Sequence, residues 1–511
     1  MAKSGEDGDM DRISGLPDEL LFSILLRVPH IADADIRYDN VHRILHCGLP
    51  HAADAARTSV LSRRWRRVWA HLPELHLLYD DASDATLNRI NGALGAYAAP
   101  SLNHLRIEFT QKDPPLSTLT LDLPLPLHDV RPPRVSGHRI SGWLRFASQH
   151  LTGSLRIEVP TWATCNTDDK EEHQVLLPLS VKITSITLSL MYHMLRVQRP
   201  LSRECTALVY LHIKDTHMDS DELEDVVSSR CPRLKVLALV CVAFHGTHQR
   251  LKLRPDSLKE LCINLCERPE CKLIHVTAPA LRTLYTRIYV ADAYISAPML
   301  SEVHWYSHKY NPSRHQIAEA ESRLHRLEIN SSCEGEVMAL MQRFHTVHEL
   351  ILKLSIWQGA KAYKRFLSGI SKLSRCEVLV VKVEFSFSVQ HAFKPTLLSL
   401  LRKCPGVRKI VLHVDEYKND FECGTSGCPC GFSENSKTDD IMLGSLEEVE
   451  LNSLSGGDGK IELVKLLYKL SGTSRERVVI NVSRGSASAY MRDKIQSICP
   501  PNNKVKVECQ E

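Results

Sequence analysis

A leucine pattern that recurs about every 24 residues constrains this chain more than any other feature. Segments of the form Leu-x-x-Leu-x-Leu begin at Leu208, Leu234, Leu258, Leu281, Leu300 and Leu324, and related segments begin at Val347 and Val407. The first seven starts are separated by 26, 24, 23, 19, 24 and 23 residues. Each unit of this length is too short to bury its own apolar face, so neighbouring units have to stack against one another.

The period predicts a leucine-rich-repeat array, in which each unit supplies one strand and one helical or irregular return. Segments at Leu102, Leu155 and Ile183 are degenerate copies of the same pattern. We therefore expect an α/β fold whose main part, residues 100–415, is a curved leucine-rich-repeat solenoid.

Residues between the leucines are expected to point to the concave face of such a solenoid, because side chains alternate along a strand. The alternation predicts that the following residues are exposed on this face: Tyr210, His212, Lys214, Glu260, Cys262, Asn264, Thr283, Tyr285, Arg287, Glu302, His304, Tyr306, Arg326, Glu328 and Asn330. Mixed aromatic and charged side chains suit protein recognition better than phosphate binding. The candidate substrate-binding residues are Tyr210, His212, Tyr285, Arg287, His304 and Tyr306; a solvated face without a partner is the alternative.

Charge and composition narrow the choice of partner. Lys and Arg number 64 against 60 Asp and Glu, a formal charge of +4, which argues against nucleic-acid binding over a broad surface. Apolar residues at 43% are typical of a globular chain, and no apolar run approaches the roughly 20 residues of a membrane span.

The polar residues 1–10 are expected to be disordered and carry no signal-peptide pattern. The scattered cysteines then indicate reduced thiols, and the cytoplasm or nucleus as the compartment.

Two N-terminal blocks have helical periodicity. LPDELLFSIL places Leu20, Leu21, Ile24 and Leu25 on one stripe, with Pro17 in the first turn. TSVLSRRWRRVW carries Val60, Leu61, Trp65 and Trp69. These blocks predict a small helical module within residues 11–78, whose apolar residues close its core or remain available to a partner helix.

The same two blocks resemble the F-box, a three-helix module that docks on a Skp-type adaptor of a cullin ubiquitin ligase. The resemblance implies that Leu16, Pro17, Leu20, Leu21, Ile24, Leu25, Val60, Leu61, Trp65 and Trp69 contact the adaptor. One departure is the insertion at residues 30–51, where the family has a short connection. A loop of this kind costs little stability, but it can obstruct the adaptor; an unspliced stretch of a gene model is a further hypothesis.

The C-terminal third departs from the repeat. Residues 416–445 form a Cys/Gly-rich loop with Cys423, Cys428 and Cys430, which lacks the paired spacing and fourth ligand of a zinc site and more closely fits free thiols. Residues 446–511, with a helix-like KIELVKLLYKL at 460–470, then RVVINVS and a final helix, resemble the FBD region of plant F-box proteins. Nearly the whole chain therefore resembles a plant F-box/leucine-rich-repeat protein.

Catalytic motifs are missing from the sequence. It contains neither Gly-x-Ser-x-Gly nor His-Glu-x-x-His, and GGDGK at 456–460 lacks the first Gly and the final Ser/Thr of a phosphate-binding loop. We expect no catalytic residue, metal or cofactor. The resemblance implies a ligase adaptor that presents a protein substrate. The alternatives are an interaction scaffold whose F-box is impaired by the insertion, and a sensor with a small-ligand pocket near Tyr285, His304 and Tyr306.

Overall fold

The structure of the chain is a computed structural model, and it divides into two compact units, Met1–Gln249 and Arg250–Glu511. The described residues are 16–17, 20, 69–109, 135–160, 174–197, 205–245, 250–265, 271–287, 291–306, 310–320, 323–332, 335–356, 360–385, 393–414, 441–452, 458–471, 478–482, 497 and 505–509. Each unit is a mixed α/β structure with mostly parallel strands.

The first unit alternates strands with short helices. Its strands are β1 (Glu74–Tyr79), β2 (Leu102–Phe109), β3 (Leu151–Glu158), β4 (Gln174–Leu176), β5 (Ser185–Ser189), β6 (Met194–Arg196), β7 (Tyr210–Asp219) and β8 (Val236–His245). Its helices are α1 (Asp84–Gly95), α2 (Gly137–His150) and α3 (Ser220–Asp225), with a 3-10 turn at Trp69–His71 and a π-helical turn at Val226–Arg230. Each of the three α-helices begins after a side-chain cap, from Ser83, Ser136 and Asp219 respectively.

The main sheet of the first unit is parallel, in the order β1–β2–β3–β5–β7–β8. The long strand β7 carries a left-handed residue at Asp215 (φ 47°), beyond which it pairs with β6. Strand β8 has a left-handed residue at Cys241 (φ 50°), beside the one in β7. Both strands therefore depart from regular extended backbone at the same level of the sheet.

The second unit contains two parallel sheets. The longer runs β10 (Glu260–Asn264), β12 (Thr283–Arg287), β14 (Glu302–Trp305), β16 (Arg326–Ser332), β17 (Glu349–Ile356), β18 (Val378–Phe385), β19 (Lys409–Val414), β20 (Glu448–Asn452), β21 (Val478–Val482) and β22 (Val505–Cys509). The shorter runs β9 (Arg250–Leu253), β11 (Leu273–Thr277), β13 (Asp292–Ser296) and β15 (His315–Ala318).

The returns of the second unit change character along the chain. Between residues 250 and 318 they are the strands β9, β11, β13 and β15, where the sequence pattern led us to expect helical or irregular returns. The reason is a period-two alternation, seen in Leu251 and Leu253 and again in Ile274 and Val276, all fully buried. Later returns are the helices α4 (Gly335–Arg343), α5 (Ala360–Gly369), α6 (Phe393–Lys403) and α7 (Asp458–Ser471).

The first apolar residue of each repeat lies in the core, two positions before its strand begins. The residues Leu208, Leu234, Leu258, Leu281, Leu300, Leu324, Val347 and Val407 are all between 0 and 3% exposed. One repeat in this series does not fit the leucine pattern. Its first residue, two positions before β18, is Cys376, which is fully buried. A thiol side chain is small and apolar enough to replace leucine there. The result is consistent with leucine-rich-repeat-like units.

Strand pairing extends beyond residues 100–415 in both units. Strand β1 pairs with β2 although it lies within the range assigned to the F-box module. Strand β20 pairs directly with β19, so the sheet continues into the FBD-like region through β21 and β22. The helix expected at 460–470 is α7, and RVVINVS contains β21; the final helix expected after it lies, apart from Ser497, outside the described residues.

Seven cysteines of the described residues form no disulfide bond. Cys205, Cys231, Cys271, Cys376 and Cys404 are buried, whereas Cys241 and Cys262 are half-buried. No helix in the described ranges is both long and apolar enough to cross a bilayer.

Candidate recognition surface

The sheet face opposite the leucines forms rows of side chains that run across the strands. In the second unit, in-register pairing aligns Cys262, Tyr285, His304 and Glu328 on β10, β12, β14 and β16. We call this the middle row. The row before it on the same strands contains Glu260, Thr283, Glu302 and Arg326, and is the first row.

The middle row contains a buried pair. The Nδ1 atom of His304 lies 2.7 Å from Oε2 of Glu328, and the two side chains are 6% and 8% exposed. A carboxylate only accepts hydrogen bonds, so Nδ1 of His304 donates to the ionised Glu328. The other nitrogen, Nε2, has no hydrogen-bond partner among the described residues.

Glu328 also binds two groups from the row beyond. Nζ of Lys353 lies 2.6 Å from Oε1, and the Tyr306 hydroxyl donates to the same oxygen at 3.2 Å. Burial by itself would raise the pKa of Glu328, but the contacts from His304 and Lys353 outweigh it and lower the pKa to about 2. Glu328 is therefore a permanently charged anchor at neutral pH, and it fixes the three side chains that surround it.

Aromatic rings pack beside the buried pair. The rings of Tyr285 and His304 stack with centroids 4.2 Å apart and planes 19° apart, and the ring of Tyr306 is 6.4 Å from that of His304. Burial raises the pKa of both tyrosines, and the negative charge of Glu328 adds to this at Tyr306. Both hydroxyls thus stay protonated at neutral pH, and that of Tyr306 donates to Glu328.

The expectation that the whole alternating set is exposed is wrong for three residues. His212, His304 and Glu328 are 3, 5 and 6% exposed. The Tyr285 ring stacks on His304, and the side chains of His304, Tyr306 and Lys353 surround the Glu328 carboxylate. Among the other candidates, Tyr210, Tyr285 and Tyr306 are half-buried and Arg287 is exposed.

The structure brings only part of the candidate set together. Tyr285, His304 and Tyr306 form the cluster described above, within the second unit. Tyr210 and His212 belong to the first unit, where their ring centroids are 6.5 Å apart. A role in substrate binding remains a prediction for all of these residues.

Sequence reasoning missed Lys353. Lys353 lies as far after Val347, the first residue of its repeat, as Tyr306 lies after Leu300. The alternation was not extended into the repeat at Val347. Continuing the pattern by one strand would have found it, since β16 and β17 pair in register.

A second ionic cluster, also missed, lies on the equivalent face of the first unit. The Glu108 carboxylate is 2.6 Å from the Arg106 guanidinium, also pairs with Arg156, and lies 3.8 Å from His76. Burial opposes ionisation, yet the neighbouring His76, Arg106 and Arg156 side chains lower the pKa of Glu108 to about 2. The alternation pattern, if applied to β1, β2 and β3, would have indicated these positions.

Few of the residues that resemble an F-box fall within the described ranges. Leu16 is half-buried and Pro17 exposed, and the Leu20 N–H donates to the Pro17 carbonyl at 3.1 Å. The Leu20 side chain is 49% exposed. The following residues or their side chains lie outside the described part of the chain: Leu21, Ile24, Leu25, Val60, Leu61, Trp65 and Trp69.

Metal ligation by the Cys/Gly-rich loop stays untested, because Cys423, Cys428 and Cys430 lie outside the described residues. Elsewhere, the described part of the chain contains no group of three or more His, Cys, Asp or Glu residues arranged to hold a metal ion.

Comparison with known proteins identifies relatives of one kind. No protein-family model matches the chain. An FBD-associated F-box protein of Arabidopsis thaliana is 28% identical over 281 residues, which cover 54% of this chain and 51% of the relative. An Arabidopsis F-box/LRR-repeat protein is 25% identical over 295 residues, 56% of this chain and 57% of the relative. An Arabidopsis F-box/FBD/LRR-repeat protein is 24% identical over 262 residues, 51% and 46% of the two chains.

The chain is a relative of plant F-box/leucine-rich-repeat/FBD proteins. The match spans about half the length of these curated relatives. These relatives support the resemblance predicted from the LPDELLFSIL and leucine motifs.

Proposed function

We propose that this F-box/leucine-rich-repeat relative is the substrate-recognition subunit of a Skp–cullin–F-box ubiquitin ligase. The observation that carries the proposal is the presence, in one chain, of an LPDELL motif and a parallel repeat sheet, together with relatives named for both features. In this proposal residues 11–78 form the three-helix F-box, which binds a Skp-type adaptor and, through it, a cullin.

The repeat units supply the substrate-binding face. In this proposal they form a curved solenoid. The sheet face opposite the leucines, which carries Tyr285, His304 and Tyr306 and which we call the open face, contacts a protein substrate. The paired Glu328 and Lys353 hold these rings in place before the substrate arrives, which reduces the entropy lost on binding.

The proposed mechanism is tethering. The chain itself performs no covalent chemistry and needs no cofactor; it holds the substrate beside a cullin-bound conjugating enzyme, so transfer of ubiquitin takes place at high effective concentration. The proposed compartment is the cytoplasm, the nucleus or both, and neither nucleic acid nor membrane is a proposed partner.

Co-purification with a Skp-type adaptor tests the proposal. Leu20→Asp puts a charge on a side chain that is half exposed, and we expect this change, alone or with Trp65→Ala, to abolish adaptor binding. Met442→Asp is the matched control, because Met442 is also an exposed apolar side chain, at 70%, but lies in the second unit.

The insertion at residues 30–51 decides between the ligase subunit and the scaffold. Adaptor binding by the intact chain supports the ligase role. Binding only after deletion of the insertion would favour an interaction scaffold with an impaired F-box, and no binding by either form would overturn the ligase proposal.

A further inference from the structure

One buried nitrogen on the open face lacks a partner. His304 is 95% buried, and its Nε2 atom makes no hydrogen bond within the described residues. The nearest charged atom is Oε2 of Glu302, at 3.7 Å, beyond hydrogen-bond range. A buried polar atom without a partner costs free energy, so a ligand that hydrogen bonds to it is favoured.

Two carboxylates in the first row flank this position. Glu260 and Glu302 lie on β10 and β14, either side of Thr283 on β12, so their backbones are roughly 10 Å apart. Neither forms an ion pair with a lysine or arginine in the described ranges. Burial raises the pKa of Tyr285; the charges of Glu260, Glu302 and Glu328 raise it further, and that of Arg326, which is in register with Glu302, lowers it.

We propose that the patch formed by Glu260, Tyr285, Glu302 and His304 binds an arginine side chain of the substrate protein. The inference rests on the proposed function and deepens it, since it names the chemistry by which a substrate is recognised. In this proposal the His304 imidazole is neutral with its proton on Nδ1, so the guanidinium donates to the Glu302 carboxylate and to Nε2 of His304, once the partly exposed Glu302 side chain rotates to admit it.

Arginine fits the patch better than other side chains. Its guanidinium has five N–H donors in a plane, enough for a carboxylate and an imidazole together, and it stacks on aromatic rings such as that of Tyr285. Lysine offers a point charge without the planar face. An acidic side chain would be repelled by Glu260 and Glu302, and an apolar one would leave Nε2 of His304 unsatisfied.

A peptide selection with counter-selection tests the assignment. A library of random nine-residue peptides is selected on the full chain, and the pool is then depleted on the Glu302→Gln variant. We expect peptides that prefer the wild-type chain to contain arginine, and replacement of that arginine by citrulline, which has nearly the same shape but no charge, to weaken binding about tenfold. Fluorescence anisotropy measures the affinities.

Glu448→Gln is the matched control. Glu448 lies in the same row on β20 and undergoes the same change of charge, but it is already paired with Lys409 at 3.2 Å. Peptide binding should stay unchanged in this variant, and circular dichroism should show that both variants keep the fold. An equal loss in Glu448→Gln would overturn the local site, since it would show a general effect of charge.

Three other results would also overturn the proposal: no peptide preferring the wild-type chain, preferring peptides without arginine, or citrulline peptides that bind as tightly. Free arginine amide that binds as tightly as the peptide would show a small-molecule site and overturn the protein-segment assignment. Adaptor co-purification with the same variants separates this inference from the proposed function. If the chain binds arginine peptides but not the adaptor, the proposed ligase role is overturned and the proposed arginine site is supported.

Discussion

The Nδ1 atom of His304 lies 2.7 Å from Oε2 of Glu328, although 24 residues separate the two in sequence. Parallel pairing of β14 with β16 places them side by side in one row. The pair occupies the face that the leucines leave free, so it adds a small polar core on the opposite side of the sheet from the apolar one.

Glu328→Gln is expected to destabilise the second unit by roughly 2–4 kcal/mol, because the buried side chain loses its charge while Lys353 keeps its own. Urea unfolding followed by circular dichroism measures the change. Glu450→Gln is the control, since Glu450 is more exposed and its partner Lys409 also pairs with Glu448; we expect less than about 1 kcal/mol there. Equal losses would show that the Glu328 network has no special role.

Acid is expected to lower the free energy of unfolding of both units. Glu108 and Glu328 have folded-state pKa values of about 2, below the ordinary value of 4.5, so the unfolded chain takes up protons at higher pH than the folded chain does. The contribution of these two carboxylates to stability is complete above about pH 4.5 and is lost as the pH falls toward 2. Urea midpoints at several pH values should fall more steeply in the wild type than in a Glu108→Gln, Glu328→Gln variant. Parallel curves would contradict this assignment.

Gly153→Ala is expected to destabilise the first unit by roughly 2–3 kcal/mol. A Cβ atom at this position in β3 would collide with the carbonyl oxygen of Asn103 in β2, where the register between the strands shifts. Gly142→Ala on α2 is the control, since a Cβ there meets nothing within 4 Å and alanine favours a helix by up to about 1 kcal/mol. Thermal unfolding of both variants would show opposite shifts; a loss in both would contradict the steric argument.

Thiol labelling should separate the described cysteines into two classes. Cys241 and Cys262 are half-buried and should react with iodoacetamide first. Burial raises the pKa of Cys271, and Cys404 has a raised pKa through its contact with Cys376 and through burial, so these thiols should react only after unfolding. Mass spectrometry of digested protein measures the labelling at each site. Early labelling of Cys404 in folded protein would contradict the burial of this thiol.

Local periodicity was enough to predict the strands of most repeats. The positions of Leu208 through Leu324 each place a strand two residues later, because apolar spacing along one strand reports directly on its buried side. The repeat at Cys376 was missed because the pattern was defined by leucine, although burial requires only a small apolar side chain.

Burial on the open face was not predictable from one strand at a time. Alternation shows which side of the sheet a residue such as His304 occupies, but its exposure depends on Tyr285 and Glu328 in neighbouring strands. Register across strands is a property of the folded sheet, and the order of side chains along the sequence does not contain it. The strand returns between residues 250 and 318 were missed for a different reason, since family averages suggested helical or irregular returns.

Direct pairing of β19 with β20 has a consequence for how the chain avoids self-association. A parallel sheet that stopped at Val414 would leave the N–H and C=O groups along one side of β19 open to any extended segment of another molecule. Strands β20, β21 and β22 satisfy that hydrogen-bonding edge in succession. The FBD-like region thus moves the edge at which another extended segment can pair from β19 to β22.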